Sequence, residues 1–195
     1  LIPTRAWKQR VYKQKWMDGE TLSVSIGQSF VTVTPLQLAT AYSTFANGGS
    51  VFRPRVVSRV IGPEGQLYQD YPVQKESVIS FTPAAYKQVL EGLEGVVNEP
   101  TGTGWRVKMK DITIAGKTGT AQVVKMKERT EEEDFEKVPY EYRDHAWFVC
   151  FLPAEQPQLA IAVLVEHGGH GASAAAPVAR AMIERYLAIR NLPAL

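Results

Sequence analysis

The sequence predicts an α+β fold in which an antiparallel sheet packs against helices. Three observations carry this. Two well-capped helical stretches occupy the first half. Two near-continuous apolar runs, "HAWFVCFLP" and "QLAIAVLVE", come late and are separated by a short turn holding Pro157. Such runs suit central strands covered on both faces, and so short a turn suits an antiparallel hairpin. A helix rich in small residues, "SAAAPVARAMIERYLAIR", then closes the chain. Helices, sheet and terminal helix in that order make a layered α+β arrangement.

The elements follow in chain order. Residues 1–20 mix Lys and Arg with Trp ("RAWKQRVYKQKWMDGE") and predict an exposed, partly anchored segment. In "TPLQLATAYSTFANGG", Thr34 can cap a helix, Pro35 suits its first position and Gln37 completes a capping box. Leu38, Ala41, Tyr42 and Phe45 recur at helical spacing, and Asn47 with Gly48-Gly49 ends the helix. "RPRVVSRVIGPEGQLYQDYPV" predicts two short strands around Pro63-Glu64-Gly65. Thr82 and Pro83 open a second helix whose buried face is Tyr86, Val89, Leu90, Leu93 and Val97, running to about Asn98. "EPTGTGWR" is a glycine-rich loop, a pattern that by itself does no more than turn the chain. "DITIAGKTGTAQVV" is β-rich. The mixed charges of "KMKERTEEEDFEKVPYEYRD" predict a long solvated loop rather than a site.

Composition narrows the function classes. The chain has 195 residues, 45% hydrophobic and 22% charged, enough for a sizeable core. A net charge of +2 is too small to argue for nucleic acid or an anionic surface. The basic and aromatic opening is not supported by the rest of the chain as a nucleic-acid contact. Cys150 is the single cysteine, so no internal disulfide or cysteine-based zinc site forms. No apolar run reaches the roughly 18 residues of a membrane span. The first residue is Leu1, and the expectation is a piece of a longer protein.

The stretch "AGKTGTAQVV" (115–124) poses the functional question. A phosphate-binding loop reads G-x-x-x-x-G-K-[ST], and its first glycine would stand at position 111. That position is Asp111, a carboxylate that repels phosphate. The residues after Gly119 also continue as strand rather than opening a helix. The alternative is a Lys-Thr-Gly triplet on a strand edge. Alternation sends Lys117 and Gly119 to one face and Thr118 and Thr120 to the other. Lys117 brings positive charge, the threonines bring hydroxyls, and Gly119 leaves room for a backbone to approach. Together they form a binding edge for an extended peptide with a carboxylate.

"KTGTAQ" resembles the third motif of the penicillin-binding and serine β-lactamase superfamily, whose set is S-x-x-K, S-D-N and K-T-G. "GQSFVTVTPLQLATAYSTFANGGSVFRPRVV", "HAWFVCFLP" and "LAIAVLVEHGGHGASAAAPVARAMI" resemble the flanking segments in the transpeptidases of bacterial cell-wall synthesis. With "PTRAWKQRVYKQKW" and "EHGGHG", the set resembles the class B penicillin-binding proteins (D,D-transpeptidases) of cell elongation over nearly the whole chain. The resemblance implies that residues 1–195 are the C-terminal part of one transpeptidase domain. It implies an acyl-serine intermediate formed on stem peptides ending in D-Ala-D-Ala, and binding of β-lactam antibiotics. Lys117, Thr118, Gly119 and Thr120 are the catalytic and substrate-binding residues it implies. Lys117 gives charge near the carboxylate, and the Thr118 and Thr120 hydroxyls hold it. The Thr120 N–H serves an oxyanion hole, and Gly119 lets substrate lie on the strand. No cofactor is implied. A membrane-anchored parent working on the periplasmic side of the cytoplasmic membrane, beside a glycan polymerase, is.

The other motifs of that set are missing. No serine in the chain begins S-x-x-K or S-x-N; Ser25-Ile-Gly-Gln28 and Ser77-Val-Ile-Ser80 fail at the lysine. The expectation is that both lie upstream and that this chain alone does not acylate. A non-catalytic relative that binds peptides or β-lactams is the alternative. Among other candidates, His167-x-x-His170 has metal-ligand spacing but sits in a glycine-rich turn, so a structural turn is the reading adopted. His145 is expected to be a hydrogen-bonded histidine, Cys150 an inert buried thiol and Trp147 a packing residue. Nothing in the sequence places Asp111 beside Glu166.

Overall fold

The computed structural model describes residues 1–123 and 138–190. The reading of 125–144 as a solvated loop lies outside the described residues as far as 137; its last part, 138–144, holds a short 3-10 turn at Tyr140–Tyr142 with Val138 buried. The chain opens with α1 (Arg5–Tyr12) and α2 (Asp18–Ser25). The opening is thus more structured than the sequence implied. Its aromatic residues pack on one another, with the Trp7 and Tyr12 rings 5.4 and 5.2 Å from Phe30. Lys8 is buried, pairs with Glu20 and donates to the Lys15 carbonyl at 3.0 Å. The cations and rings of this segment hold it together.

Helix α3 (Pro35–Ala46) begins as its sequence signals require. The Gln37 N–H donates to Thr34 Oγ1 at 3.2 Å, and the Thr34 N–H donates to Gln37 Oε1 at 3.0 Å. In α4 (Pro83–Asn98) the Ala85 N–H donates to Thr82 Oγ1 at 3.3 Å. Ala41 and Val89, expected on the buried stripes, are exposed. Each lies about 60° around its helix from the stripe's centre, which places it on the flank.

Two small ribbons stand beside this frame. Strands β1 (Ser50–Phe52) and β4 (Lys75–Val78) pair antiparallel. So do β2 (Arg59–Ile61) and β3 (Leu67–Asp70), around the Pro63-Glu64-Gly65 turn.

The main sheet holds β5 (Ala115–Ala121), β6 (His145–Leu152) and β7 (Leu159–Val165), in the order β5-β6-β7 and antiparallel throughout. Helix α5 (Ala176–Arg190) follows a short π-helical turn at Gly171–Ala175. One face of β6, with Ala146, Phe148, Cys150 and Leu152, packs on Ala175, Ala176, Ala179 and Ile183. On the other face, Phe151 joins Ala115, Ala46 and Ala154, with Tyr42, Phe45, Leu90 and Leu93 against them. The apolar run of β6 thus fits a central strand covered on both faces. β7 differs from expectation, because it is an edge strand among the described residues. Its apolar character comes from α3 and α5, which cover its two faces, rather than from a strand on each side.

Candidate functional site

The site is built on β5. Its register sets Lys117 opposite Val149, Thr118 opposite Phe148, Gly119 opposite Trp147 and Thr120 opposite Ala146. The buried start of the strand, Ala115 and Gly116, anchors it, while Lys117 is exposed and Thr118 to Thr120 are half-buried. Gly116 must be glycine, since a Cβ there would lie 2.9 Å from the Cβ of Cys150 and from the Val149 carbonyl oxygen.

Strand residues alternate the side to which they point their N–H and C=O. Lys117 Nζ donates to the Thr118 carbonyl at 2.8 Å, and Gln28 Nε2 donates to the Thr120 carbonyl at 2.9 Å. A side-chain nitrogen, one from β5 itself and one from the loop after α2, reaches each of these carbonyls. That places the backbone groups of Thr118 and Thr120 on the edge away from β6. The edge therefore offers two N–H groups, two hydroxyls and a neighbouring ammonium, the inventory needed to hold an extended, anionic peptide.

Two partners of this edge were not visible in the sequence. The first is Thr103, whose Oγ1 lies 2.9 Å from Thr118 Oγ1. The glycine-rich loop is what brings it there. A Cβ on Gly102 would meet the Val96 and Gly95 carbonyl oxygens at 2.3 and 2.4 Å, and the Gly104 N–H donates to the Val96 carbonyl at 2.8 Å. The loop is thereby clamped against the end of α4, with Thr103 between its two glycines. The second is Gln28, in the loop after α2. The only available signals were the Thr between two glycines and the Gly-Gln pair, and both are too short to name a distant partner.

Gly119 has a close neighbour of its own chain. A Cβ on Gly171 would stand 2.2 Å from the Trp147 carbonyl oxygen and 2.7 Å from that of Gly119. The turn before α5 therefore lies against β5 and β6 at this pair. A Cβ on Gly119 would be 3.2 Å from the Trp147 Cβ, tight but less so.

The remaining candidates have structural duties. The His167 N–H donates to His145 Nδ1 at 2.9 Å, so that nitrogen is unprotonated. His167 Nδ1 lies 3.0 Å from the Arg143 carbonyl, which can only accept, so His167 carries its proton on Nδ1. The two imidazole rings meet edge to face at 4.6 Å, and the Tyr140 ring lies tilted against His167 at 4.7 Å. His145 is thus a hydrogen-bonded histidine, as expected. His170 is exposed at the N-terminal side of the π-helical turn. Among the described residues no group of three or more His, Cys, Asp or Glu could hold a metal ion. Cys150 is fully buried, and burial pushes its thiol up to about 12, as befits an inert core residue.

Comparison with known proteins adds to this geometry. Residues 7–184 match the family described as the penicillin binding protein transpeptidase domain. The peptidoglycan D,D-transpeptidase MrdA of Haemophilus influenzae is 40% identical over 188 residues, covering 95% of this chain and 28% of that protein. The crystal structure of Pseudomonas aeruginosa PBP2 in complex with WCK 5153 is similar with a TM-score of 0.74 at 36% identity, covering 96% of this chain and 38% of that one. A complex between PBP2 and MreC from Helicobacter pylori is similar with a TM-score of 0.73 at 30% identity, covering 95% of this chain and 31% of that one. The chain spans less than a third of the MrdA relative's length.

Proposed function

The chain belongs to the penicillin-binding protein transpeptidase domain family, and from that membership we propose that it is the C-terminal part of a peptidoglycan D,D-transpeptidase domain. The parent cross-links stem peptides through an acyl-serine intermediate and is acylated by β-lactams. The observation that carries this is the outer edge of β5, where the Thr118 and Thr120 hydroxyls and N–H groups stand beside the exposed Lys117 ammonium, the two threonine carbonyls being held by Lys117 and Gln28.

In this reading the acyl-donor peptide lies along that edge. Its terminal carboxylate accepts from the Thr118 and Thr120 hydroxyls, and Lys117 adds positive potential. The Thr120 N–H faces the scissile carbonyl as one donor of the oxyanion hole. Removing such a donor typically costs about 2.7–4 kcal/mol of transition-state stabilisation. The serine and its base come from upstream, since no S-x-x-K stands in these residues. Serine attack then splits peptide transfer into acylation and a deacylation by an amine, which is covalent catalysis. The parent is anchored in the cytoplasmic membrane, faces the periplasm and works with a glycan polymerase. Among the described residues no helix is long and apolar enough to cross a membrane.

One second reading is a non-catalytic relative that keeps the binding edge to sense peptides or β-lactams, the upstream S-x-x-K being what divides the two. Treating the full-length parent with a labelled penicillin and mapping the adduct by peptide mass separates the two. A label on an upstream serine is the expected result. A parent that never acylates leaves the binding relative as the better account.

A further inference from the structure

We propose that Thr103 is a positioning residue for substrate carboxylate recognition, donating its hydroxyl proton to Thr118 Oγ1 so that the Thr118 proton is left for the substrate. The inference rests on the proposed transpeptidase reading and names a residue that the K-T-G motif does not contain.

The hydroxyl oxygens of Thr103 and Thr118 are 2.9 Å apart, a hydrogen bond in which one must donate and the other accept. Each threonine hydroxyl has one proton and two lone pairs. If Thr118 donates to Thr103, it has only lone pairs to show a carboxylate, and the two repel. If Thr103 donates, Thr118 keeps its proton and the bond polarises it toward an anion. A carboxylate on the β5 edge selects the second arrangement. The loop is constructed to hold this contact. Gly102 and Gly104 pack against the last carbonyls of α4, where any Cβ at Gly102 would collide with backbone. The backbone that carries Thr103 is therefore held on either side, which sets its Cβ near Thr118. Thr103 is itself exposed, so the contact is at the mouth of the site rather than in the core.

The test compares acylation of the full-length parent by a penicillin and by its methyl ester, which lacks the anion. Thr103→Val keeps the branched shape and removes the hydroxyl. It is expected to slow acylation by the free acid about fivefold, the scale of one ordinary hydrogen bond, and to leave the ester unchanged. Thr103→Ser should restore the free-acid rate. Equal slowing of acid and ester would make Thr103 merely structural and overturn the inference, and so would no slowing of either. Thr118→Val supplies the control. If it abolishes the preference for the free acid while Thr103→Val preserves it, the Thr103 inference fails and the transpeptidase reading stands. If the wild-type parent is never acylated, the reading itself fails and takes the inference with it.

Discussion

Gln28 donates through Nε2 to the Thr120 carbonyl at 2.9 Å, tying the loop after α2 to a strand 92 residues further along the chain. A strand residue sends its N–H and C=O to the same edge, so this bond also steadies the direction of the Thr120 N–H. Gln28→Glu keeps the size and removes the donor, setting a carboxylate against a carbonyl oxygen. In the full-length parent it should lower the acylation rate constant by roughly tenfold, with a smaller effect on the preceding non-covalent binding, as expected for a group that aims an oxyanion donor. Rapid-mixing kinetics with a chromogenic β-lactam would read the two steps separately. An unchanged acylation step would assign Gln28 to folding alone.

Gly171 and Gly92 should respond oppositely to the same change. Gly171→Ala places a methyl 2.2 Å from the Trp147 carbonyl oxygen, an overlap that only backbone movement relieves. Such overpacking costs about 1–3 kcal/mol, and here it also pushes on Gly119. Gly92→Ala, inside α4 with nothing within 4 Å of its added carbon, should stabilise by about 0.5–1 kcal/mol by favouring helix. Denaturant unfolding of both variants in the parent would show the contrast.

The Lys8–Glu20 pair anchors the opening helices. Lys8 is 2% exposed, with the Lys15 carbonyl as its other partner. Glu20→Ala leaves an ammonium buried without its counter-charge, which costs roughly 3–5 kcal/mol when burial is complete. The loss should be local. Hydrogen exchange should quicken in α1 and α2 before it does in the β5–β7 sheet.

High pH should weaken the core. Burial raises the Cys150 thiol from 9.0 to about 12, and burial, with Cys150 nearby, raises the Tyr42 hydroxyl from 10.0 to about 12. Both groups hold their protons more tightly when folded. Their contribution is fully present below about pH 9 and is lost as pH rises toward 12. Thermal unfolding of wild type and Cys150→Ala across that range would test this, with the variant losing less stability between neutral and alkaline pH. Folded protein should also resist thiol alkylation near pH 8, and unfolded protein should not.

The helix starts at Thr34 and Thr82, the turn at Pro63-Glu64-Gly65, the late apolar strands and the Lys-Thr-Gly strand are all written in short stretches of the chain. Each is a local matter: a cap reaches three residues ahead, a turn needs its own dihedral angles, and a strand shows its burial in its composition. Tertiary structure alone decided that β7 forms an edge of the described sheet, because helices on both faces leave the same apolar signature as neighbouring strands. It also decided the partners of the site. Thr103 meets Thr118 only because the glycine-rich loop seats on the end of α4 and α4 lies against β5. Gln28 reaches Thr120 from a loop whose sequence carries no trace of its destination. The opening segment follows the same rule, since Lys8 reads as a surface cation until Glu20 and the Phe30 ring are folded against it. Contacts between distant residues depend on how whole elements pack, and no pattern within a few residues can encode that distance.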